Sequence, residues 1–153
     1  TCTSPTLKDG SHTISVKASD NDGNAAAAKT ATFTVDTVPP TLQITAPSND
    51  LVTNKKTVTI TGKTDDVTSK PVTVTVNGAT VTVGTDGTFT KEVTLVEGAN
   101  TITIVAKDKA GKTTTVTRKV TVDTSAPGIK SITLTPNPVD CGKTFIIAVE
   151  ITD

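Results

Sequence analysis

The chain has 153 residues, with 15 basic and 15 acidic side chains, no net charge, 34% hydrophobic content, three Phe and no Trp, Tyr or Met. That length suits one to two small domains, and the charge balance removes nucleic acid and acidic membrane surfaces from the leading partners. One His, one Arg, three Glu and two distant Cys are a poor inventory for acid–base or nucleophilic chemistry, and so few aromatic rings leave no platform for stacking sugars or bases. A non-enzymatic structural or binding module is therefore expected.

Thr occupies 36 positions and Val 19. Branching at Cβ restricts χ1 in a helix and packs well on a pleated sheet, so the expectation is an all-β chain with almost no helix. No apolar run approaches the roughly 18 residues that would span a bilayer, and Thr1-Cys2-Thr3 resembles neither an initiator nor a signal peptide. The chain is expected to be a mature product or an excerpt of an extracellular protein. It offers no Asn-x-Ser/Thr acceptor for N-glycans.

In chain order, residues 1–37 carry two strands, around Ile14/Val16/Ala18 and Phe33/Val35, with the Asp20-Asn21-Asp22-Gly23 turn between them. Pro39-Pro40 then stiffens a linker, because each ring fixes φ and restricts the residue before it. Residues 38–124 alternate apolar with Thr: Leu42 to Thr45, Val58/Ile60, Val72/Val74/Val76, Val81/Val83, Val93/Leu95, Ile102/Ile104/Ala106 and Val120/Val122 face inward. Asn77-Gly78 and Asp86-Gly87 are two-residue hairpin signals. Arg118 falls on the inward parity, which predicts a bulge or an edge there. Residues 125–153 carry two more strands, around Ile132/Leu134 and Phe145/Ile147/Val149.

These segments are related by an internal repeat. Residues 7–23 realign 88 positions later with residues 95–111, and both copies run on to a Val-Asp-Thr linker, Val35-Asp36-Thr37 and Val122-Asp123-Thr124. Residues 56–66 match 143–153 at an offset of 87. A period near 87 is the size of one β-sandwich, so residues 38–124 form a whole unit, residues 1–37 the last strands of a preceding unit and residues 125–153 the first strands of a following one.

Val74-Thr-Val-Asn-Gly78, Thr85-Asp-Gly-Thr-Phe89, Val96-Glu-Gly-Ala-Asn100 and Ala106-Lys-Asp-Lys-Ala-Gly111 resemble the bacterial Ig-like repeats of cell-surface proteins, of the glucodextranase-B-like type. The resemblance implies tandem Ig-like antiparallel sandwiches with strands A to G, of the kind strung together in adhesins. It implies an extracellular stalk or filament module, with a cell-surface or glycan-binding module and an accessory domain of a secreted glycosidase as alternatives. Partners would be neighbouring Ig-like domains or copies of the chain itself, joined head to tail by strand complementation.

On that frame Cys2 and Cys141 fall at one end of a sandwich and are disulfide candidates. No cofactor is expected beyond calcium at domain junctions. There Asp36 ends one G strand near Asp65 and Asp66 on the B–C loop and Asp108 on the F–G loop of the next unit, and Asp123 and Asp153 repeat the arrangement. Asp20 and Asp22 alternate like the start of a calcium loop, but turn formation through their own backbone explains them as well. His12 takes the slot of Asn100 in the other copy, which points to a turn-stabilising role.

Overall fold

The computed structural model describes residues 6–135 and 141–152; Cys2 and Asp153 lie outside them. The described residues form strands and turns without a helix, as the β-branched alternation requires. β1 (Gly10–Val16) and β2 (Lys29–Val35) make an antiparallel hairpin. β3 (Thr41–Ala46), β5 (Thr57–Asp65) and β8 (Thr88–Thr94) form one sheet in the order β3-β5-β8. The facing sheet has the order β4-β10-β9-β6-β7, built from β4 (Leu51–Thr53), β6 (Thr73–Val76), β7 (Ala79–Val81), β9 (Gly98–Lys107) and β10 (Thr113–Val122). A last antiparallel hairpin joins β11 (Gly128–Thr135) to β12 (Ile146–Thr152).

The two larger sheets close on one apolar core. Ile60, Val74, Ile102, Ile104, Ala106, Val120 and Val122 are fully or almost fully buried, with Leu42, Val58, Val72, Val83 and Val93 packed around them. Every apolar position assigned inward by alternation from Leu42 to Val122 therefore lies in or against the core, whereas Gln43 and Thr45, inside the Leu42 to Thr45 run, are exposed. Phe89, absent from that set, is buried as well, and it sits over Gly62, where an added Cβ would lie 2.7 Å from its ring.

Three local expectations are refined. Asn77 and Gly78 both take positive φ, 48° and 81°, and make the two-residue turn between β6 and β7. Asp86-Gly87 instead belongs to a five-residue connection, residues 84–88, because only Gly87 has positive φ and the Asp86 carboxylate closes the turn on the Thr88 backbone N–H and hydroxyl. At Arg118 the register of β10 against β9 is unbroken, and β4 pairs with β10 only from Val120 to Val122, so Arg118 stands on an edge stretch of β10 among the described strands; the bulge lies across the sandwich in β3, between Ile44 and Ala46. Arg118 donates to the carbonyls of Ile44 and Pro47 there, both at 3.2 Å. Among the described residues one pairing is parallel, β4 with β10, over three residues.

The two hairpins expose the faces that the sandwich buries. Ile14, 53% exposed, and Phe33, 37% exposed, occupy the repeat positions of the buried Ile102 and Val120. On the last hairpin Ile132, Leu134, Ile147 and Val149 form cross-strand apolar pairs that are also exposed.

Candidate metal centre at the first linker

The Val-Asp-Thr linker is built the same way twice. After β2, Thr37 donates its backbone N–H and hydroxyl to the Asp9 carboxylate at 2.9–3.1 Å. After β10, Thr124 makes the same two donations to Glu97 at 2.9 and 2.8 Å. The neighbouring Asp closes its own turn: Val38 N–H donates to Asp36 Oδ1 at 3.1 Å, and Ser125 N–H donates to Asp123 Oδ1 at 3.0 Å. The linker then enters the sandwich through Pro40, which is fully buried and accepts from the Thr114 hydroxyl. These latches escaped the sequence reading, although the repeat held the signal: both copies keep an acid before the first strand and a Thr after the last.

Two loops of the sandwich meet the linker. Asp66 follows β5, is 6% exposed, and accepts at Oδ1 from Thr68 N–H and Ser69 N–H at 2.8 and 2.7 Å. Asp108 follows β9, is 5% exposed, and accepts at Oδ1 from Lys112 N–H at 2.8 Å. Lys109 N–H donates to Ser69 C=O and ties the two loops together. One carboxylate oxygen from each of Asp36, Asp66 and Asp108 lies within 4.8 Å of the others. Asp36 Oδ2 and Asp108 Oδ2 are buried with no hydrogen-bond partner among the described residues.

That arrangement fits a hard cation. Two oxygens each about 2.4 Å from one calcium ion lie no more than about 4.8 Å apart, and calcium favours carboxylate oxygens in flexible geometry. Buried unpaired carboxylate oxygens are expensive, and three like charges this close raise the cost, so a cation is the species that would satisfy them together. Beside the cluster a crevice of ≈ 420 Å³ is lined by Phe33, Asp36, Ser69, Lys70, Lys109 and Ala110.

The other sequence candidates separate from this group. Asp65 points away and forms an exposed ion pair with Lys70 at 2.7 Å, whose hydrogen bond holds its carboxyl below the usual range. Asp20 accepts from Asp22 N–H and Asn24 N–H, and its Oδ2 takes the Asn24 side-chain amide at 2.8 Å; that last bond is the main reason its carboxyl is held low. Asp22 is exposed in the same turn. Asp123 is engaged in its linker turn, and Cys141 is exposed. His12 Nε2 lies 2.7 Å from Lys8 C=O, matching the Asn100 amide, which donates to Val96 C=O at the same distance.

The sandwich, residues 40–124, matches the family model described as glucodextranase, domain B. The chain belongs to this glucodextranase domain B family. Residues 1–37 match a second model, the bacterial Ig-like domain. Among curated proteins the chain is similar to bacillopeptidase F of Bacillus subtilis (strain 168), at 32% identity over 126 residues. The match covers 82% of this chain and 9% of that protein, so the chain spans under a tenth of its relative. Among solved structures it is similar to fibronectin(III)-like modules of Clostridium thermocellum CbhA, at 24% identity and a TM-score of 0.44, covering 76% of this chain and 64% of the other. It is also similar to a tetra-tandem repeat from the extending region of a large adhesion protein, at 24% identity and a TM-score of 0.46, covering 94% and 46%. Both models describe single domains, of the kind found within multidomain proteins.

Proposed function

We propose that the chain is a non-enzymatic extracellular spacer segment in which calcium locks one Ig-like unit to the next. The sandwich of residues 38–124 is the repeating unit; residues 1–37 supply the F and G strands of the unit before it, and residues 125–153 the A and B strands of the unit after it. The observation carrying this reading is the convergence of a linker carboxylate, Asp36, with two loop carboxylates of the next unit, Asp66 and Asp108, around buried oxygens that lack partners. A cation there would connect the linker to both loops and remove its bending freedom, which is what a stalk requires. The repeated Thr latches hold each linker to the unit it leaves, so stiffness passes from unit to unit.

Small-angle scattering with calcium and with chelator tests the reading. The expected result is a larger maximum dimension with calcium, a compacted or broadened distribution with chelator, and an Asp36→Ala chain that behaves as chelated under both conditions. An unchanged profile would remove calcium from the mechanism. The similarity to bacillopeptidase F favours a second reading, an accessory module of a larger secreted enzyme. A parent gene encoding a catalytic domain alongside this segment would favour it.

A further inference from the structure

The two copies of the F–G loop treat the same aspartate differently. Asp20 and Asp108 are repeat equivalents, and each uses Oδ1 to accept a backbone N–H four residues on, from Asn24 and Lys112 respectively, both at 2.8 Å. They part at Oδ2. In the first copy the side-chain amide of Asn24 donates to it at 2.8 Å. In the second copy the equivalent residue is Lys112; Asp108 Oδ2 is buried without a partner among the described residues, and one oxygen of the same carboxylate lies within 4.8 Å of Asp36 and Asp66. An amide is a short, neutral donor that reaches the carboxylate of its own loop; the strongly hydrated lysine ammonium sits on a long, flexible stem, and Lys112 is exposed here.

We propose that the residue four positions after the F–G aspartate decides whether that loop can serve as a cation ligand, with Asn24 closing the first loop internally and Lys112 leaving the second open. The inference rests on the calcium reading of the Asp36–Asp66–Asp108 cluster. The two F–G loops would then be of two kinds. The Asp108 loop depends on the cation for its stiffness, and the Asp20 loop has its carboxylate already satisfied. Loss of calcium would loosen the first and leave the second unchanged.

The test is calcium titration of the full chain, stripped of metal, by calorimetry, comparing wild type with Lys112→Asn and Lys112→Ala. Removing a positive charge beside a cation site raises affinity by Coulomb's law, so Lys112→Ala is expected to bind calcium as well as wild type or more tightly. Lys112→Asn removes the same charge but supplies the amide, and is expected to bind about tenfold more weakly than Lys112→Ala, the scale of a hydrogen bond to a charged group. Circular dichroism and thermal melting of both variants confirm that the fold is intact, which an exposed loop position allows. Equal affinities for Lys112→Asn and Lys112→Ala, with wild type binding calcium, would overturn this inference alone. A wild-type chain that takes up no calcium would overturn the metal reading beneath it.

Discussion

Gly62 is where a single residue limits the sandwich most tightly. A Cβ there would lie 2.6 Å from Gln43 C=O and 2.7 Å from the Phe89 ring, so the close approach of β3 and β5 and the seat of the largest core side chain both depend on its absence. Gly62→Ala is expected to cost about 1–3 kcal/mol through overpacking, read from urea denaturation. Trimming the ring in a Gly62→Ala, Phe89→Val double variant should cost less than the sum of the two changes, since it relieves one of the two contacts. An unchanged midpoint for the single variant would mean that the two strands separate freely. The three clustered aspartates obey a different logic: each spends one oxygen on its own turn, and Asp36 and Asp108 keep the other buried without a partner among the described residues.

Among the elements, β3 carries the irregularity that joins the sheets. Its bulge between Ile44 and Ala46 turns carbonyls out of the β5 ladder, and Arg118, reaching from β10 on the opposite sheet, satisfies the carbonyls of Ile44 and Pro47. A cation on an inward-parity position is thereby explained as a clamp between sheets. Arg118→Met keeps most of the aliphatic stem but leaves those carbonyls short of donors, and is expected to destabilise the sandwich by about 1–3 kcal/mol in thermal or urea unfolding. Faster amide exchange in β3 than in β9 would locate the damage. Uniform exchange across both sheets would show instead that Arg118 acts as a surface residue.

For the whole molecule, the decisive contrast is between one closed sandwich and two open hairpins. Ile14, Phe33, Ile132, Leu134, Ile147 and Val149 stay exposed, while the sandwich residues at the repeat positions of Ile14, Phe33 and Ile147 are buried. Contiguous apolar strips beside unpaired strand edges attract protein surface, so the isolated chain is expected to associate with rising concentration in sedimentation velocity. An Ile14→Thr, Ile147→Thr variant, which keeps β-branching while removing apolar area, should shift that association to higher concentration. A monomer at all concentrations would mean that the strips find cover within one chain.

What the sequence determined by itself was everything carried by a period of two and by the repeat. Alternating Val, Ile and Thr placed the core from Ile44 to Val122, and the 87–88-residue offset assigned the flanking strands their places. The same parity, continued past β5 and β9, points Asp66 and Asp108 inward and Asp65 outward, so part of the candidate site was already legible. Tertiary structure alone decided the rest. Whether Asp36 meets those two loops depends on how the linker enters the sandwich, and Asp65 is turned aside by its ion pair with Lys70; Asp123 keeps the same linker turn as Asp36, and its predicted partner Asp153 lies outside the described residues. Phe89 and the Asp9–Thr37 and Glu97–Thr124 latches were likewise set by partners many residues away. The physical reason is range: strand parity is a property of neighbouring residues, whereas a gathering of carboxylates is fixed by packing between elements that the local pattern does not encode.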